Sequence, residues 1–216
     1  MQQLVILGFG GHAMVLTEIV QLSDQYQLIG FITPESKIKE KQIKHFPILG
    51  SDDDLPMLFK KGIKHAIVGV GSIGDNGPRK SLYQRIINIG FSPVGLTHPK
   101  AFISSTAKLG QGVVIMANAV VNSNVRIGDN VIVNSGAIIE HDCIIGDHVH
   151  VASGACLAGG VQVGSESHIG MGAKVIQCIQ IGENVLVGAG AVVIRDVPDG
   201  VTVVGCPAKV LQHNKD

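Results

Sequence analysis

The chain has 216 residues, 45% of them apolar, and its 17 Lys and Arg are balanced by 17 Asp and Glu. That is enough apolar matter for one or two domains with real cores, and a formal charge of zero argues against the phosphate-driven binding of a nucleic-acid protein. Apolar runs are broken within a few residues by Gly, Asn or a charge, and MQQLVILGFGG lacks the basic and apolar regions of a secretory signal, so no membrane span is expected and the chain reads as soluble and cytoplasmic.

The first elements alternate in type. QQLVIL predicts an apolar strand entering the Gly-rich turn GFGG, and MVLTEIVQL has apolar residues at helical spacing. QLIGFIT predicts a second strand, HAIVGVGS a third, and RKSLYQRIINIG a basic amphipathic helix. The intervening ESKIKEKQIKHFPILGSDDDLPML is charged and Pro-containing, which suggests a surface excursion plus a short helix. Residues 1–95 therefore form a small Rossmann-like α/β domain with a parallel sheet.

From residue 96 the pattern changes. Counting in sixes from Ile103 through Ile139 and Leu157 to Val193 meets Leu, Ile or Val at all sixteen positions. A second register two residues earlier, from Ala101 to Ala191, carries small residues, of which only Ile179 exceeds Val. Such a phase predicts a parallel β-helix: each hexad supplies a short strand and a turn, and three hexads close a coil of about 18 residues rising roughly 4.8 Å. The composition agrees, because 28 Gly and no Trp suit a column of small aliphatics. The solenoid spans 96–196, and residues 197–216, which leave the phase, should cap its open end. Cys143, Cys156, Cys178 and Cys206 have no metal spacing and read as reduced.

Three places carry candidate chemistry. Gly8, Gly10 and Ala13 fit a G-x-G-x-x-G/A fingerprint, where amides at a helix N-terminus bind a phosphate or diphosphate; Glu35 stands where a dinucleotide would offer its ribose, although the domain is short for two mononucleotide halves. In the solenoid, Glu140-His141-Asp142 interrupts a surface otherwise rich in Asn, Gly and Ser: His141 could act as a base with Asp142 orienting it. Gly159, eighteen residues on, should stack one coil away and offer its N–H to an oxyanion, with Asn134 a further polar neighbour. His150, nine residues from His141, belongs to the far side of the prism and could cooperate only across subunits. His148, His150 and His168 gather no Cys or carboxylate, so no metal site is expected.

The GFGGHA turn, the array NSGAIIEHDCIIGDHVHVASGACLAGG and the terminal VVGCPAKVL together resemble the NeuD/PglD family of sugar acetyltransferases across essentially the whole chain. The resemblance implies a left-handed β-helix, a homotrimer, and acetyl-CoA bound between neighbouring solenoids. By position it implies His141 as catalytic base, Asp142 as its acidic partner, and Gly159, His150, Met171 and Ala189 as acetyl-CoA contacts. It also implies Gly10, Gly11, His12 and Gly71 as nucleotide-sugar contacts. The family often carries paired acids after the second strand, where this chain has Thr33-Pro34-Glu35. The expected activity is N-acetylation of a nucleotide-linked 4-amino-sugar, of the UDP-4-amino-4,6-dideoxy-N-acetylhexosamine type, for a bacterial surface glycan. O-acetylation of a sugar such as sialic acid, a non-catalytic nucleotide-binding scaffold and a dinucleotide-dependent oxidoreductase are the alternatives.

Overall fold

A computed structural model describes residues 1–34, 42–43 and 46–213. These form two compact units, one of residues 1–71 and 78–96, the other of 72–77 and 97 onward.

In the first unit, β1 (Gln2–Leu7) is fully buried from Leu4 to Leu7, as a parallel strand covered on both faces must be. It pairs in parallel with β2 (Tyr26–Ile32) on one side and with β5 (His65–Val68) on the other. Helix α1 (Gly11–Gln21) joins β1 to β2 and buries Ala13, Leu16, Ile19 and Val20, an apolar stripe at helical spacing. Two short strands, β3 (Gln42–Ile43) and β4 (Phe46–Gly50), precede α2 (Leu55–Lys60); α3 (Gly77–Ile89) follows β5 and leads to β6 (Ser92–Pro93). The sheet order is β3-β4-β2-β1-β5-β6, with all neighbours parallel except β3 and β4.

Strand β4 departs from the sequence reading, which placed a surface excursion there. Phe46-Pro47-Ile48-Leu49 aligns beside β2, with Phe31 opposite Ile48. The proline that disguised the strand is tolerated near a sheet margin, where a missing N–H costs least. Glu35 lies outside the described residues.

In the second unit the strands of the repeat up to Lys174–Val175 pair in parallel with the strand eighteen residues on, as Val114↔Ile132↔His150↔His168 and Val120↔Ile138↔Cys156, and near the end of the column the spacing shortens to sixteen, as Leu186↔Thr202. Among the described residues the three faces hold eight, six and five strands. Both inward registers are buried through the middle of the column, and the single polar insider, Ser167, is satisfied: its hydroxyl donates to Gly182 O at 2.7 Å and accepts from Val185 N–H at 2.9 Å. At the first coil Leu109 is 39% exposed, because no coil lies beneath to cover it. The corners need left-handed backbone, supplied by glycines and by Asn118, Asn124, Asn130, Asp142 and Asn184, types that tolerate it; His148, Glu166 and Cys178 adopt it too. After the last hexad, Val201–Val204 continues one face beside Leu186–Val187, and Lys209–His213 turns back against it, antiparallel. Among the described residues no helix is long and apolar enough to cross a membrane.

Candidate active site

His141 and Asp142 occupy a corner of the solenoid between the six- and five-stranded faces. Asp142 takes φ of 61° there, and its N–H donates to Ser123 O, one coil before, at 2.9 Å. The turn throws both side chains outward, and His141 Nδ1 meets Asp142 Oδ2 at 2.8 Å. The other carboxylate oxygen accepts from Asn124 Nδ2 at 3.1 Å. These two hydrogen bonds, His141 first, hold the Asp142 carboxyl below the usual carboxylate range. With Nδ1 turned to the carboxylate, the exposed ring has Nε2 left to face a substrate.

Gly159 stacks on this ring. A Cβ built on it would stand 2.6 Å from both Cε1 and Nε2 of His141, so the corner needs glycine for close approach rather than for φ. The coils are tied here, with Gly160 N–H donating to His141 O at 2.9 Å. The sequence-based stacking of Gly159 and His141 is thus what the fold produces. Cys143, buried beneath the corner, has its thiol pushed up to about 11 by burial and donates to Ala158 O at 3.2 Å, as a packed, protonated thiol does.

The other solenoid candidates lie on a different edge. His150 is on the eight-stranded face, 6% exposed, with its ring edge-on to His168 at 4.8 Å between centroids. Asn134 Nδ2 is 3.2 Å from His150 Nε2. Met171 and Ala189 stack at the corner that follows, where Gly190 N–H donates to Met171 O at 2.8 Å; Met171 is 63% exposed. One chain therefore brings His141, Asp142 and Gly159 together and keeps them apart from His150, Asn134, Met171 and Ala189.

The nucleotide candidates of the first unit gather at the carboxyl ends of β1, β2 and β5, the crevice where open parallel sheets bind ligands. Gly8 turns with φ of +96°, and a Cβ there would strike Val70 at 2.8 Å. Gly10 caps α1 without any side-chain bond; a Cβ on Gly10 or Gly11 would meet nothing within 4 Å, so the approach to the helix N-terminus is open. Gly71 faces the His12 Cβ. His12 is half-buried with its Nε2 shut away from solvent and without a hydrogen-bond partner among the described residues, and burial followed by the nearby Arg79 lowers its pKa to about 4.

Sequence reasoning missed two residues here. Arg79, 1% exposed, reads as one more base on an amphipathic helix, and Ser72, which meets His150, reads as the end of a strand; Thr33, named there only as a departure from paired acids, is fully buried just after β2. Only tertiary placement distinguishes them.

The stacked corner, the hexad column and the N-terminal sheet together define a hexapeptide-repeat, coenzyme-A-dependent acyltransferase joined to a Rossmann-like domain. Family profiles agree: the PglD N-terminal domain matches residues 3–86, and the bacterial transferase hexapeptide matches 106–141 and 126–159. PerB from Caulobacter crescentus, solved with CoA and GDP-perosamine, is 38% identical over 98% of each chain, with a TM-score of 0.90, and a histidine-to-alanine mutant of GDP-perosamine N-acetyltransferase from the same organism is 37% identical over 98% of each chain, with a TM-score of 0.91. The acetyltransferase domain of PglB from Neisseria gonorrhoeae, solved with acetyl coenzyme A, is 36% identical over 97% of this chain and 99% of its own, with a TM-score of 0.88. WeeI from Acinetobacter baumannii is 25% identical over 98% of this chain and 100% of its own, with a TM-score of 0.82. No curated protein sequence matches. The chain belongs to the NeuD/PglD family of sugar acetyltransferases, and its solenoid is a left-handed β-helix.

Proposed function

We propose that the protein transfers an acetyl group from acetyl-CoA to the amine of a nucleotide-linked 4-amino-sugar. The observation that carries this reading is the His141 ring, bonded to Asp142 at Nδ1 and packed on Gly159. As the amine attacks the thioester carbonyl, His141 Nε2 accepts the proton that nitrogen must lose, with Asp142 keeping the hydrogen on Nδ1. The oxyanion that forms is met by the Gly159 N–H; on collapse the C–S bond breaks and the proton passes to the departing CoA sulfur. That a perosamine-acetylating relative was crystallised with CoA and nucleotide sugar, both unaltered and with a histidine replaced by Ala or Asn, accords with a histidine-centred reaction.

In this reading residues 1–95 hold the nucleotide through Gly10, Gly11, His12 and Gly71, residues 96–196 hold acetyl-CoA, and 197–216 cap the column. His150, Asn134, Met171 and Ala189, on another edge from His141, then serve the site of a neighbouring subunit, which supports a homotrimer. A cytoplasmic location follows from the supply of acetyl-CoA and nucleotide sugars. The test is a screen of acetyl-CoA consumption with GDP- and UDP-linked 4-amino-sugars and with free sialic acid. Turnover of an amino-sugar, lost in His141→Ala, supports the reading; turnover of sialic acid alone, or an unaffected His141→Ala rate, overturns it.

A further inference from the structure

The loop Ser72–Gly77 is built to sit on the solenoid. Gly74 takes φ of +79°, where a Cβ would press on Leu186 at 3.3 Å, and Gly77 N–H donates to Asp75 Oδ1 at 2.8 Å, closing a local turn. Asn76, 3% exposed, donates from Nδ2 to two successive carbonyls, Glu166 O at 2.8 Å and Ser167 O at 3.0 Å. At the other end Ser72, 7% exposed, places both its carbonyl oxygen, at 3.1 Å, and its hydroxyl, at 3.0 Å, on His150 Nδ1. The loop is pinned at both ends, with Ile73 fully exposed between them.

The direction of the bonds around His150 follows from what each group can do. A carbonyl only accepts, so His150 Nδ1 carries the hydrogen that goes to Ser72 O. In the neutral ring Nε2 then bears the lone pair. Asn134 is oriented from its other end: Ser135 N–H donates to Asn134 Oδ1 at 2.8 Å, which turns the amide nitrogen toward Nε2. A one-way chain results, from the Ser135 N–H through the Asn134 amide and the His150 ring to the Ser72 carbonyl, and such aligned bonds polarise one another. The half-buried Asn134 keeps a second amide hydrogen that no described residue takes up.

We propose that Ser72 is a positioning residue: by fixing the direction of this chain it makes Asn134 a hydrogen-bond donor toward the substrates, selecting an oxygen acceptor such as a carbonyl or sugar hydroxyl. Ser72 follows Gly71 in sequence, so the residue that orients the solenoid pair is covalently next to a nucleotide-contact candidate. This rests on the reading that His150 and Asn134 serve the acetyl-transfer site.

The test reads the ring directly. In protein with ¹⁵N-labelled histidine and no substrate, with His150→Gln to assign the signal, His150 should carry its hydrogen on Nδ1. Asn134→Asp presents only acceptors to Nε2, so it should place a hydrogen there and lower kcat/KM roughly tenfold or more. Asn134→Ser, which can still donate, should recover part of that loss. Asn76→Ala frees the loop and should leave His150 a mixture of tautomers; if that variant does not fold, Gly74→Val, strained at a φ of +79° and against Leu186, loosens the same carbonyl contact. A hydrogen on Nε2 in the unaltered protein overturns the proposal. So does a folded Asn134→Asp together with a loop variant when both leave tautomer and kcat/KM unchanged. Because the tautomer is read without substrate, its outcome is separate from whether any given nucleotide sugar is acetylated.

Discussion

The imidazole of His141 rests on the α-carbon of Gly159, with only 2.6 Å between two ring atoms and the place a Cβ would take. Gly159→Ala therefore displaces the ring. The exposed side chain can swing outward, so the thermal midpoint should hardly move, whereas kcat should fall roughly a hundredfold because the base leaves its line to the thioester. Steady-state kinetics beside a melting curve separates the two effects.

Asp142 couples to the same ring through charge. Its lowered pKa means the interaction with His141 is intact at every pH above the ordinary carboxylate range and is lost only as pH falls through the depressed folded-state value. A ¹³C titration of the side-chain carboxyl should give a midpoint below 3.8, and His141→Ala should raise it. Asp142→Asn keeps a residue suited to φ of 61° but loses the charge, so the fold should persist while kcat drops roughly tenfold or more.

His12 makes a different pH prediction. Its pKa falls from 6.5 in the open chain to about 4 in the fold, so between those values the unfolded chain binds the extra proton. Stability should therefore decline as pH drops from about 6.5 to about 4, by an amount on the order of 3 kcal/mol, and level off below. Urea titrations of the intact protein and of His12→Gln across that range should differ in this slope; equal slopes would refute the burial-driven shift.

At the corner one coil beyond Gly160, Cys178 holds φ of 60°, a conformation costly for a side chain of its type. Cys178→Asn should raise the thermal midpoint, by up to about 1 kcal/mol of stability. Leu157→Ala, in the fully buried column, should cost roughly 2–5 kcal/mol by chemical denaturation.

The solenoid was legible because its physics repeats. An aliphatic every six residues can be counted, and the eighteen-residue coil that it implies puts Gly159 over His141. The α/β unit was half legible: β1 and α1 carry clear periodicities, but β4 hides behind Pro47, and Arg79 lies beside His12 through a burial that no local pattern encodes. Least visible was the loop at Ser72, whose partner His150 lies 78 residues away in sequence. Its Gly74 and Asn76 look like ordinary turn residues until the surface they grip is in place.

The coil length also limits how the chain can be edited. Because each strand is answered by one eighteen residues on, an insertion or deletion of a whole coil would lengthen or shorten the column and leave every edge where it was. A change of six residues between His141 and Gly159 would keep every aliphatic pointing inward and the core intact, yet turn the glycine a third of the way round the prism. In such a variant the histidine would face a different corner, and where the change falls after His150 the Ser72–Gly77 loop could no longer bond both His150 and the Ser167 carbonyl. The aliphatic column selects for multiples of six in this scaffold, and the alignment of its corners selects for multiples of eighteen.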